Sequence, residues 1–121
     1  MPAGALARLA DLPDGEPHGR DGLVDGEAEP LILLRQGDAV RAWLNICPHA
    51  GRRLDWAPGR FLRAPGGELV CAVHGATFEL GQGRCVAGPC IGASLRAVAV
   101  QVRDGAVWLA TSQRPQRPPH A

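Results

Sequence analysis

The sequence contains no lysine and no tyrosine, a single methionine, and only two Phe and three Trp as aromatics. It also lacks any long apolar run. The longest purely aliphatic stretch is Leu31-Ile32-Leu33-Leu34, whereas a spanning helix needs about 20 apolar residues. Residues Met1 to Pro13 offer no apolar core of the kind an export signal carries. These absences predict a cytoplasmic protein with no membrane association. Neither sign of charge dominates: 13 basic residues face 12 acidic ones, for a formal net charge of +1. Nothing here advertises nucleic acid or an anionic surface as a partner. The missing lysine, with arginine supplying every basic side chain, reads as composition bias. The missing tyrosine removes the phenolic hydroxyl as a hydrogen-bond donor everywhere in the chain.

What is present is cysteine in small number and turn residues in large number. Four Cys without an export signal argue against a disulfide framework and for metal binding. Sixteen Gly and eleven Pro in 121 residues imply short strands and many turns around one modest core. Residues 1–24 read as an irregular lead-in, with at most a short strand near Ala5–Leu9. Residues 25–110 read as one domain, and 111–121 as a disordered tail. The first hairpin is expected from Pro30–Arg35 and Ala39–Ile46 about a Gln36-Gly37-Asp38 turn, with Val40, Ala42 and Leu44 on one face. Residues 50–67 are expected to be loop, or at most a helical turn near Arg53–Trp56. Short strands follow at Glu68–Cys71 and Thr77–Leu80, then a loop over Arg84–Ser94. A last hairpin, Leu95–Val102 and Ala106–Ala110, turns at Asp104-Gly105, a dipeptide that supplies positive φ.

The chemistry is concentrated in Cys47-Pro48-His49 and Cys71-Ala72-Val73-His74, separated by 21 residues. Two thiols and two imidazoles are split evenly between two loops. A tetrahedral zinc site can be built from that set. The order Cys-His then Cys-His better suits a two-iron cluster whose irons differ, one held by two Cys and the other by two His. Gly51 and Gly75 stand beside the motifs, where a glycine lets the backbone approach sulfide closely. Leu54 and Pro89 are placed to cover the site.

The stretches Cys47–Leu54 and Cys71–Phe78, with the later Gly88-Pro89, resemble the Rieske [2Fe–2S] family, most closely its small soluble ferredoxins, over residues 25–110. The resemblance implies an all-β Rieske-type fold of antiparallel sheets, with a cluster-binding subdomain formed by the two loops. It implies one [2Fe–2S] cluster, with Cys47 and Cys71 on the inner iron and His49 and His74 on the outer. It further implies a one-electron carrier between a reductase and an oxygenase or other oxidoreductase, with no substrate of its own. Family members of high potential carry hydroxyls where this chain has Ala76 and Phe78, and an extra loop Cys where it has Arg52. This chain therefore resembles the low-potential side. The spacing between motifs is longer than usual, and Phe61–Gly67 is expected to protrude. A small accessory subunit of a nitrite-reductase-type enzyme and a zinc-stabilised interaction module are the competing readings. Only His18 and His120 are spare, both near the ends, which leaves no second iron site of two His and a carboxylate.

Other residues attract plainer readings. Cys85 and Cys90 read as ordinary packing or incidental thiols, a mutual disulfide being disfavoured in a reducing compartment. His18, His120, Asp55 and Glu79 read as solvated. Trp43, Trp56 and Trp108 read as core or sub-core, with Trp56 able to border the cluster. Arg52, Arg53, Arg60 and Arg63 read equally well as a basic rim for an acidic partner or as solubilising charge.

Overall fold

The computed structural model of the chain describes residues 5–48, 51, 53–57, 59–71 and 75–110. Among these, the structure is strands and turns, with one short 3-10 helix at Leu9–Asp11. No helix of the described residues is long and apolar enough to cross a membrane. The ten strands form three antiparallel sheets, as expected of an all-β chain. The chain divides into two compact units, one from the segments up to Ala42 and from Val98 onward, the other Trp43–Ala97.

The first unit contains two of the sheets. Strands β2 (Pro17–Val24) and β3 (Glu27–Gln36) pair residue for residue from Pro17–Leu34 to Val24–Glu27. Strand β4 (Ala39–Leu44) lies on the other side of β3, and its last two residues lead into the second unit. The second sheet joins β1 (Ala7–Arg8), β10 (Ala106–Leu109) and β9 (Val100–Arg103) in that order. Leu31, Ile32, Leu33 and Leu34 are all at most 2 % exposed, so β3 is buried on both faces. That explains why the run is continuous rather than alternating.

The hairpin β2–β3 corrects the expectation of an irregular lead-in over residues 1–24. Its turn is Asp25-Gly26, with φ of 53° and 85°. The same dipeptide at Asp104-Gly105 turns β9 into β10 with φ of 55° and 73°. Two positive φ values match the right-handed strand twist. Strand β2 escapes notice because it is polar and interrupted by glycine. Gly22 is there for space: a Cβ would stand 2.8 Å from Leu6 Cδ2 and 2.9 Å from Leu31 Cδ1. His18 is half-buried within β2, not solvated at a free end. Residues 111–121 and His120 lie outside the described residues.

The second unit has a four-stranded sheet of very short strands: β5 (Leu62–Arg63), β6 (Leu69–Val70), β7 (Thr77–Phe78) and β8 (Cys85–Ala87). Two expected loops thus contain strands. Phe61–Gly67 is not a free protrusion, because β5 pairs with β6 and Ala64 N–H donates to the Glu68 carbonyl at 2.8 Å. The Arg84–Ser94 segment contributes β8, which pairs with β7 across an irregular register at Thr77/Phe78. Residues 54–56 form bends rather than a helical turn. The expected strand from Leu95 is regular only from Val100; before it, Ala97 bridges Trp43. Trp43, Leu44, Leu54, Leu69, Phe78 and Leu95 make the buried apolar centre of this unit.

Candidate metal centre

Both motif cysteines lie in the second unit, and both are buried: Cys47 at 0 % and Cys71 at 1 % exposure. The carbonyl of each accepts an N–H from the glycine four residues on. Gly51 N–H donates to the Cys47 carbonyl at 2.8 Å, and Gly75 N–H donates to the Cys71 carbonyl at 3.0 Å. Each turn therefore spans Cys to the fourth residue after it. Both glycines have positive φ, 68° and 77°, where a side chain would be strained. Measured from the cysteines, the two glycines are equivalent. Counted from the histidines, at two residues and one, the likeness does not show. His49, Ala50, Arg52 and Ala72–His74 lie outside the described residues.

The two turns are fastened by different means. After the first, Asn45 is fully buried and its Oδ1 accepts the Leu54 N–H at 2.9 Å. Asp55 then accepts from Arg53 Nε at 3.0 Å, from Arg53 Nη2 at 2.9 Å and from Gly59 N–H at 3.1 Å. Its side chain is 1 % exposed, so Asp55 is a buried anchor and not a solvated carboxylate. Burial alone would raise its pKa. The Arg53 hydrogen bonds, the Gly59 N–H, the Arg53 charge and the Asn45 amide outweigh it and hold the carboxyl below its ordinary value. The Asn45 amide acts there by proximity, since its Nδ2 makes no hydrogen bond of good geometry.

The second turn is fastened by backbone. Cys71 N–H donates to the Ala76 carbonyl at 2.7 Å, closing the loop from both ends. Gly88 then packs on its exit: a Cβ there would meet Ala76 Cα at 2.8 Å and Gly75 O at 2.9 Å. Glu79, read as solvated, organises the next turn by accepting from Gln82 N–H at 2.9 Å and Arg84 N–H at 3.2 Å.

Around these loops, Leu54 is fully buried and Pro89 is exposed. Trp56 is 59 % exposed, against the core reading, and Arg60 lies over its ring at 5.9 Å. Arg63 Nε donates to the Gly67 carbonyl at 2.8 Å. The described arginines of this region thus brace their own loops while staying exposed. Cys85 and Cys90 are free thiols in direct contact, at 3.2 Å. Burial, then the Cys85 thiol, then Cys47 push the Cys90 thiol up to about 12, so it keeps its proton at neutral pH.

Chemically, two buried sulfur donors on equivalent glycine-closed turns suit a soft metal or an iron–sulfur cluster. The turn glycines keep their outer sides open, with nothing within 4 Å of where a Cβ would stand. Among the described residues, no group of three or more ligating side chains assembles.

Comparison with known proteins sharpens this. The Rieske [2Fe–2S] domain family matches residues 4–107. The chain is 34 % identical over 97 residues to oxidoreductase NdmD of Pseudomonas putida, covering 74 % of this chain and 16 % of that protein. It therefore spans about a sixth of the length of that relative. The ferredoxin of carbazole 1,9a-dioxygenase from Nocardioides aromaticivorans IC177 superposes with a TM-score of 0.66 and 31 % identity, over 88 % of this chain and 94 % of that one. The terminal oxygenase of the same system superposes with a TM-score of 0.66 and 27 % identity, over 97 % of this chain and 31 % of that one.

Proposed function

Because the chain belongs to the Rieske [2Fe–2S] domain family, we propose that it carries one electron at a time from a reductase to a terminal oxygenase. The carrying observation is the pair of buried cysteines on equivalent glycine-closed turns in one unit. The family's single [2Fe–2S] cluster supplies the one-electron chemistry. Cys47 and Cys71 would hold the inner iron, and His49 and His74 the outer. The similarity to a dioxygenase ferredoxin along nearly its full length supports the carrier reading over one of substrate turnover. Partners are accordingly a reductase and an oxygenase, reached without nucleic acid or membrane. A reducing, cytoplasmic setting is part of the same proposal.

The chain's own residues would set how easily the electron is accepted. Two neutral imidazoles in place of two thiolates make the centre less negative, which raises its potential relative to an all-Cys cluster. Buried Ala76 and Phe78 offer no hydroxyl to the site, which keeps the value low within the Rieske range. Two measurements test the proposal. The reduced protein should show the Rieske EPR signal and a midpoint in the lower part of the range of about −150 to +300 mV. Mixed with a Rieske-oxygenase reductase and its oxygenase, it should restore NADH-dependent turnover. A colourless zinc protein, or a red protein that never passes electrons between such components, would sink it.

A further inference from the structure

Cys85 and Cys90 belong to neither motif. Their sulfurs touch at 3.2 Å, well beyond the about 2.05 Å of a disulfide bond. The backbone brings them there. Cys85 lies in β8 opposite Phe78. Its N–H donates to the Ala93 carbonyl at 2.8 Å, and its carbonyl accepts Gly92 N–H at 3.2 Å. Ala93 N–H donates to the Cys90 carbonyl at 2.9 Å. The loop between the two cysteines is thus already closed by hydrogen bonds. Joining the sulfurs adds little further loss of chain entropy. Access is unequal: Cys85 is 1 % exposed, while Cys90 is half-buried.

The same loop bears on the candidate centre. Gly88 lies midway along it, at φ +93°, against the backbone of Gly75 and Ala76 where the second motif ends. A bond across the base of the loop holds that contact in place.

We propose that Cys85 and Cys90 form a reversible disulfide that clamps their loop onto the exit of the second motif. The oxidant is a low-molecular-weight disulfide such as oxidised glutathione. The accessible Cys90 sulfur attacks one of its sulfurs; the oxidant's S–S bond breaks and one glutathione thiolate leaves. The Cys85 sulfur then attacks Cys90 in the mixed disulfide, and the second glutathione leaves. Two protein thiols are oxidised, the oxidant is reduced to two thiols, and the two protons pass to the departing thiolates. The readout is the equilibrium extent of oxidation.

The clamp's effect on cluster retention rests on the reading of Cys71 and His74 as ligands; formation of the disulfide does not. Cys85 and Cys90 share the tryptic peptide Cys85–Arg96, which contains neither motif cysteine. The full chain with its cluster is equilibrated anaerobically in glutathione buffers of graded oxidation, then alkylated and digested. That peptide should lose both alkylation sites together and weigh two hydrogens less, and dithiothreitol should restore both sites. Cys85→Ser should instead hold a glutathione adduct at Cys90, and Cys90→Ser should keep Cys85 alkylatable. The oxidised wild type should lose its visible Rieske absorption to a chelator several-fold more slowly than the reduced protein. Two thiols that stay separately alkylatable, or that each keep an adduct, overturn the disulfide. A disulfide with unchanged chelation overturns the clamp. A protein with no Rieske spectrum at the outset overturns the cluster reading alone, since the peptide masses do not depend on it.

Discussion

The two units of this chain are built by different means. In the first, β2 and β3 run eight and ten residues and pair without a break, over a strand buried on both faces. In the second, β5 to β8 run two or three residues each. Its order comes from loop fastenings instead: Asn45 on Leu54, Asp55 on Arg53 and Gly59, Glu79 on Gln82 and Arg84, and the tight seat of Gly88. The first unit is held by apolar burial and ladder bonds, which need no cofactor. The second spends its chain on loops that present two cysteines, so a bound cluster would supply part of its folding energy. Stability and function are thereby separated along the chain.

Removing the cluster should break this comparison most severely. Cys47→Ser, His49→Ala, Cys71→Ser and His74→Ala should each abolish the Rieske EPR signal. Hydrogen exchange should then show Gly51, Cys71 and Gly75 amides losing protection, while those of Leu31–Leu34 keep theirs. Equal loss in both units would mean that the first depends on the cluster after all.

A glycine exchange in each unit sharpens the contrast. Gly88→Ala meets both positive φ and the Ala76 backbone at 2.8 Å, and should cost about 2–4 kcal/mol. Gly26→Ala meets positive φ at +85° with open space around it, and should cost about 1 kcal/mol. Urea melts of the two variants give the comparison directly; equal costs would show that the Gly88 contact yields freely.

Asp55→Asn should cost about 1–2 kcal/mol, less than a fully buried ion pair because Arg53 stays partly hydrated. The Arg53 side chain is 47 % exposed. Since the folded carboxyl ionises below the 3.8 of a free aspartate, its contribution is present above that pH. It is lost as pH falls through the lowered folded value. Acid melts of the wild type should steepen there, and those of Asp55→Asn should not.

The smallest effect belongs to the first unit. Burial, then the charge of Arg20, lower the His18 pKa below its ordinary 6.5, against the pull of Asp11. The unfolded chain therefore binds the proton more readily, and stability falls as pH drops below 6.5 toward the folded value. His18→Gln should remove that slope. The two units should thus weaken in different acid windows, His18 first and Asp55 later.

The all-β class, the two cysteine–histidine motifs and the turns whose geometry is set within a few residues are written locally in the chain. Gly51 and Gly75 close their turns by contacts four residues long, and Asp104-Gly105 needs only its own two φ angles. Asp25-Gly26 was just as legible, but its partner strand β2 lacks the apolar alternation that marks a strand. The rest follows from packing between segments. Gly22 is shaped by Leu6 and Leu31, and Gly88 by Ala76. The Cys85–Cys90 contact depends on where Ala93 returns to β8. Short-range spacing constrains dihedral angles, so a sequence displays it; burial and contact arise from segments distant along the chain, and no local pattern records them.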